Sequence, residues 1–195
     1  MVLDLLNTVE WRLDRQRAIE DLRDYESVLA WAQCKILIDT EVAHLQRLAA
    51  AQPRLQAAEH RRLLQLRETT YEALIHDSLQ AVDELTSAYR NTLQNAHLQH
   101  NGPSWTWSER SITLATPHDR ITAHIIALLT SPDLGQLRQC EDAACGWVYL
   151  DTPRAATAAG APPPTAATAT ARAATTPVTG PTPGHPKCEY SRQGP

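Results

Sequence analysis

Apolar residues recur with helical spacing through most of the first 132 residues. Positions three or four apart share one face of a helix, so each such stripe predicts an amphipathic helix that packs on its neighbours. The strongest stripe covers residues 54–79, which contain no glycine or proline. Further stripes predict helices at residues 25–34, 40–51, 83–98 and 117–129. At residues 3–12 either a helix or an irregular segment fits, with Asp4 and Asn7 as caps or turn residues.

The period changes to two at residues 104–116, where Trp105, Trp107, Ile112 and Leu114 alternate with small or polar residues. Such alternation is typical of strands, and it predicts a short β-hairpin that turns at residues 109–111. Two interpretations of the tryptophans stay open. They are a platform for stacked bases, or the inner face of a flap that packs on the helices.

The composition changes again after residue 154, where alanine, threonine and proline dominate and no apolar period remains. This composition predicts a disordered tail over residues 155–195. The fold class predicted for the whole chain is mainly α. We expect a bundle of about five helices with a short hairpin, a small cysteine knuckle and this tail.

Charge and targeting signals restrict the function classes only weakly. The net charge of −4 argues neither for nor against nucleic acid as a partner. No apolar run reaches the roughly 18 residues of a membrane span, and the first residues lack the apolar core of a signal peptide. We therefore expect a cytoplasmic protein without a membrane partner. There, a close cysteine pair indicates metal or redox chemistry before a disulfide.

Other candidate features favour structural roles. Arg61, Arg62 and Arg67 are interleaved with glutamates, which indicates a solvated, ion-paired helix face rather than a DNA-binding one. His97 and His100 stand three apart but have no cysteine or carboxylate ligand beside them. The common phosphate-binding, metalloprotease and hydrolase motifs are missing from the sequence. We therefore expect no enzyme, since a pocket walled by the tryptophan flap would still need an acid/base set.

Two cysteines, Cys140 and Cys145, are the strongest candidates for chemistry. They form a C-x4-C pair followed at once by Gly146, whose backbone freedom suits a tight turn. Two thiolates at this spacing can share one zinc ion, but a structural zinc site takes four ligands. The pair is therefore half of a site. Cys188 lies about 40 residues further on, near His185, and either residue could join the pair only by closing a long loop.

The stretch LGQLRQCEDAACGWVYLDTPR at residues 134–154 resembles the first half of the CGNR zinc finger. Upstream, LDLLNTVEWR, YESVLAWAQ, LLQLRETTYEAL and LLTSPDLGQLRQC resemble the ABATE domain, which accompanies that finger in a family of bacterial transcription regulators. The resemblance implies a helical ABATE-like domain at residues 1–132 and half a finger at residues 133–154. It also implies Cys140 and Cys145 as zinc ligands and DNA as the partner.

The second half of the finger, W-C-x4-C-G-N-R in that family, is missing after residue 154. Codons that are legal for residues 157–176 can nevertheless spell RRWCSTADCGNRDRARRHH when they are translated in a shifted frame. The first two bases of each codon are nearly fixed by the residue, so a match of this length to the expected motif is informative. We interpret the tail as an out-of-frame translation, caused by a frameshift or a sequencing error. The alternative is a natural low-complexity linker.

The predicted function is a zinc-finger, DNA-binding transcription regulator that responds to stress or to a ligand. Its finger is incomplete in this chain, where Arg154 is at most a residual DNA contact. A small-molecule effector and a homodimer are further expected partners. The alternative is a helical ligand-binding or protein-interaction module whose zinc knuckle is purely structural.

Overall fold

The fold is taken from a computed structural model, which describes residues 1–151. Six α-helices dominate this part of the chain. They are α1 Val2–Leu6, α2 Tyr25–Gln33, α3 Asp39–Ala51, α4 Pro53–Ile75, α5 Leu79–Gln94 and α6 Thr116–Leu129. A 3-10 helix follows at Pro132–Gln136. The prediction of a mainly α fold is confirmed. Within residues 1–151, no helix combines the length and the apolar character that a membrane span requires.

Six short strands form three antiparallel pairs. β1 Val9–Glu10 pairs with β2 Ile19–Glu20, β3 Ala96–Asn101 with β4 Ser104–Glu109, and β5 Leu137–Gln139 with β6 Val148–Leu150. The last pair carries the two candidate cysteines. Met1–Asp151 forms one compact unit, so this pair belongs to the same body as the helices.

Helix boundaries follow local capping chemistry. The Asp24 side chain accepts the Ser27 amide hydrogen and starts α2. Pro53 stands in the first turn of α4, where its missing N–H costs nothing. The helix predicted at residues 54–79 begins as expected but ends about one turn early, at Ile75, and the helix predicted at residues 83–98 is displaced by about one turn, to Leu79–Gln94. Asp77 has a positive φ of 50° that ends α4, and Ser78 caps α5 by accepting the Ala81 amide hydrogen.

The prediction of a hairpin between Trp105 and Leu114 is wrong in its pairing. Asn101 lies opposite Ser104, so the chain turns at Gly102, whose φ is +61°. Asn-Gly-Pro at residues 101–103, just after the helix predicted at residues 83–98, is typical of a helix end, but here it forms the turn itself. His97 and His100 consequently lie on opposite faces of strand β3, and they do not form the helical i, i+3 pair.

The hydrophobic core has a large part between α1, α4, α5 and α6 and a second part beneath α2 and α3. Leu5, Leu63, Ile121 and Ile125 are among the residues buried in the first part, and Leu29 and Leu45 lie in the second. A smaller cluster of Leu6, Tyr71 and Val148 joins the β5–β6 hairpin to α1 and α4.

One arginine ties the β3–β4 hairpin to the rest of the bundle. The Arg120 guanidinium on α6 donates to both carboxylate oxygens of Glu41, at 2.6 and 2.8 Å, and to both of Glu109, at 2.6 and 3.2 Å. Its remaining N–H donates to the Ile36 carbonyl at 2.7 Å. All five donors are used, and the three charged side chains are between 18 and 24 % exposed.

The substitution Glu41→Gln should lower the free energy of unfolding by about 2 kcal/mol at neutral pH, because a charge-assisted contact is lost. The hydrogen bond from Arg120 holds the pKa of Glu41 below 4.5, against the opposing effect of burial. A depressed pKa gives stability that is present above the unfolded-state value and is lost as pH falls through the folded-state value. The difference between the parent and the variant should therefore shrink below pH 4.5.

Urea unfolding at a series of pH values measures this difference. Glu72→Gln is the matched control, since Glu72 lies exposed on α4. A Glu41→Gln difference that stays constant into the acid range would contradict the assignment of the stability to this ion pair.

Candidate metal centre at the cysteine hairpin

Cys140 and Cys145 lie at the end of the β5–β6 hairpin. The Cys140 amide donates to the Trp147 carbonyl at 2.8 Å and extends the pairing of the two strands. Asp142 shapes the turn between the cysteines. Its carbonyl accepts the Cys145 amide hydrogen at 3.1 Å, and its carboxylate accepts that of Ala144 at 2.8 Å. Gly146 then follows with a φ of +72°, as the sequence led us to expect.

Both cysteines are reduced and partly exposed. Burial raises the pKa of the Cys145 thiol, and the Cys140 side chain and the negative charge of Asp142 raise it further. A hydrogen bond with the Trp147 backbone opposes these effects. The backbone bonds of the turn hold both cysteines at the same end of the hairpin, which is where a shared metal ion would need them.

The donor set fits half of a structural zinc site. Cys140 and Cys145 supply two soft ligands, and within residues 1–151 no group of three or more histidine, cysteine or acidic side chains could hold a metal ion. Arg154, His185 and Cys188 lie outside the described residues, as do the predicted tail at 155–195 and the segment of the shifted frame.

The hairpin is fastened to the start of the chain by a side-chain amide. Asn7 donates from Nδ2 to the Val148 carbonyl at 2.9 Å, and its Oδ1 accepts the Val148 amide hydrogen at 2.9 Å. The backbone adds two bonds, from the Arg12 amide to the Cys145 carbonyl at 3.0 Å and from Leu13 to Ala144 at 3.2 Å. We call this set of contacts the N-terminal clamp.

Arg12 connects the clamp to helix α4. Its guanidinium lies 4.3 Å from the centroid of the Tyr71 ring, donates to the Leu6 carbonyl at 2.8 Å and pairs with Glu68. From the hairpin side, Gln139 donates to the Tyr71 hydroxyl at 2.7 Å. The aromatic ring therefore contacts both the clamp and the strand that precedes Cys140.

Sequence patterns did not assign these roles. Asn7 is the C-cap of α1, as the prediction of a cap or turn residue has it, but its side chain also bonds a partner 141 positions away. No local period connects two such positions. The only signal was the stretch LDLLNTVEWR, which contains both Asn7 and Arg12 and carried part of the family resemblance.

Comparison with known proteins gives one family match. The model of the ABATE family, described as "Putative stress-induced transcription regulator", matches residues 1–132. The matched range covers 132 of the 195 residues. It includes Asn7, Arg12 and Leu13 of the clamp, but it ends before the cysteine hairpin that they contact. A search of curated proteins found no match.

Proposed function

This chain belongs to the ABATE family of regulators, and from that premise we propose that its cysteine hairpin is one half of a zinc finger that contacts DNA. The observation that carries the proposal is the clamp, because the helical domain holds the cysteine hairpin through four hydrogen bonds that involve Asn7, Arg12 and Leu13. A fixed pair of thiols is what a second pair needs in order to complete a tetrahedral site.

Cys140 and Cys145 would bind the zinc ion as thiolates. Bound zinc supplies a cross-link that stabilises a small domain with little hydrophobic core. The hairpin fits this role, since it contributes Val148 to the core while both cysteines remain partly exposed. The other two ligands would come from the cysteines of the shifted-frame sequence RRWCSTADCGNR, which would follow the hairpin directly.

DNA contact would come from the arginines of that second half. The given tail spreads its four positive charges over 39 residues, at Arg154, Arg172, Lys187 and Arg192, so they are not concentrated at one site. A compact arginine-rich finger would neutralise several phosphates at once, and this makes the affinity steeply dependent on salt. We therefore expect the chain as given to bind zinc and DNA weakly.

The test compares the given chain with a chain whose residues 157–176 carry the shifted-frame sequence. The second chain should hold one zinc ion and bind duplex DNA, with the logarithm of its affinity falling by about 0.9 per phosphate contact for each tenfold rise in salt. Zinc content is measured by mass spectrometry and DNA binding by fluorescence anisotropy. In the shifted-frame chain, Cys140→Ser should abolish both properties.

The control is Ser87→Ala in the same chain, which should leave zinc content unchanged because Ser87 lies exposed on α5, outside the hairpin. Equal DNA affinity of the two chains would overturn the proposal. A shifted-frame chain that holds zinc but ignores DNA would support the alternative function, a helical interaction module with a structural zinc knuckle.

A further inference from the structure

A cavity of about 360 Å³ opens between helices α5 and α6, the β3–β4 hairpin and the segment that follows α2. Its volume falls in the range of small-molecule sites, which are mostly apolar with a few polar groups. Apolar and aromatic walls come from each element, including Ile36, Tyr89, Leu93 and Trp107. The cavity contains none of the residues of the cysteine hairpin or the clamp.

One charged residue that lines the cavity, Asp119, has only a histidine as its ionisable partner within residues 1–151. Arg120 is surrounded by Glu41 and Glu109 and has no donor left for a ligand. Lys35 pairs with Asp4 at 3.1 Å. Among the charged lining residues, Asp119 alone has no arginine or lysine partner within the described chain.

Asp119 is only 8 % exposed, although it lines the cavity. Its described contacts both use Oδ1, which lies 3.2 Å from the His118 ring and 3.3 Å from the Thr92 hydroxyl. Oδ2 has no hydrogen-bond partner within residues 1–151 and is not among the atoms sealed from solvent. Oδ2 can therefore be reached from the cavity, where a donor group of a ligand can replace the water that would otherwise solvate it.

Trp107 supplies the second feature of the site. It lies on the hairpin face that it shares with Glu109, and the Arg120 contacts hold that end of the hairpin in place. Its side chain is 58 % exposed, although it forms part of the cavity wall. An indole ring and a carboxylate that line one cavity both favour organic cations, because the ring quadrupole and the negative charge each attract a positive group.

We propose that this cavity binds a small organic amine with an apolar body. The ammonium group donates to Oδ2 of Asp119, and the body lies against Trp107 and Tyr89. An anion would meet the Asp119 charge and find the Arg120 donors already used. The site is independent of zinc and DNA, so its failure would leave the proposed function untouched.

The probe is 2-phenylethylamine, a protonated amine with an aromatic body, and its matched anion is 3-phenylpropionate. Calorimetric titration of the full chain without zinc should show saturable 1:1 binding of the amine and at least about tenfold weaker binding of the anion. This pair of probes tests the charge preference on the unaltered protein. The comparison of the two probes therefore stays a valid test even if a variant fails to fold.

Two variants then locate the site. Asp119→Asn keeps the shape and should weaken amine binding by about tenfold or more, because a charge-assisted hydrogen bond is lost. Trp107→Ala should weaken it by about fivefold. Trp105→Ala is the matched control, since Trp105 shares the same hairpin face but lies outside the cavity. It should leave binding unchanged.

Three results would overturn the proposal. They are the absence of saturable amine binding up to about 10 mM, anion binding as tight as that of the amine, and amine binding that Asp119→Asn leaves intact in a folded chain.

Discussion

Replacement of Arg67 by alanine is expected to lower the free energy of unfolding by about 4 kcal/mol. Arg67 is 3 % exposed and donates to both carboxylate oxygens of Glu20, at 2.8 and 2.6 Å. It also donates to the Thr8 hydroxyl at 2.9 Å and to Glu68 at 2.8 Å. The substitution removes every one of these donors and leaves the buried Thr8 hydroxyl with one partner fewer.

Arg67 stays positively charged although it is buried. Burial alone would lower the pKa of its guanidinium, but the hydrogen bond and the charge of Glu20, followed by Glu68, give a net rise. The residue therefore stays protonated over the whole working range, and its loss is a loss of full ion pairs.

Urea unfolding measures the effect, with Arg61→Ala as the matched control. Arg61 is exposed on the same helix, so its removal should change stability by no more than about 0.5 kcal/mol. Arg67→Met separates packing from ionic contacts, because it keeps the aliphatic stem. Equal losses for Arg67→Ala and Arg61→Ala would show that the buried ion pairs do not stabilise the fold.

The second large effect is expected at the cysteine hairpin, where Gly146→Ala should break the clamp. A Cβ atom at this position would lie 3.0 Å from Arg12 Cβ, 3.1 Å from Leu13 Cγ and 3.2 Å from the Tyr71 hydroxyl. The positive φ adds a backbone penalty of about 1 kcal/mol. We expect a combined local cost of about 3 kcal/mol from the strain and the displaced contacts.

Hydrogen exchange reports this local loss. The amides of Arg12 and Leu13 donate to the carbonyls of Cys145 and Ala144, so their protection should fall by about a hundredfold. Substitutions at two further glycines separate the effect of the positive φ from the effect of the steric clash. Gly102→Ala tests positive φ without a clash, and Gly135→Ala tests neither, because nothing lies within 4 Å of either added Cβ.

Neither control substitution should expose Arg12 or Leu13. If protection of these amides survives Gly146→Ala, the close approach of the hairpin to residues 12 and 13 is not what holds it. In that case the hydrogen bonds from Arg12 and Leu13 would tolerate the added methyl group, and the clamp would stay intact.

The helices could be predicted because their apolar period and their caps lie within a few residues of each other. Residues 25–34 and 40–51 became α2 and α3 almost unchanged. The β3–β4 hairpin could not be placed, since both candidate pairings alternate in the same way and the Asn-Gly-Pro turn also fits a helix end.

The other features that the sequence did not predict depend on long-range polar contacts. Arg67 was expected on a solvated face with Arg61 and Arg62, and this is wrong because its partners Thr8 and Glu20 arrive from 59 and 47 positions away. The family resemblance identified the domain correctly. The role of Asn7 and the open carboxylate of Asp119 depend on tertiary geometry, and the local sequence carries no mark of either.

The N-terminal clamp also sets an order on synthesis. A ribosome adds Asn7 about 140 residues before Val148. The side-chain amide of Asn7 and the apolar surfaces of Leu6 and Tyr71 therefore have no partner until strand β6 has been synthesised. Domains complete their folding only when such late segments emerge. A nascent chain halted before residue 148 therefore leaves this apolar surface uncovered, and exposed apolar surface is what chaperones and proteases act on in incompletely folded chains.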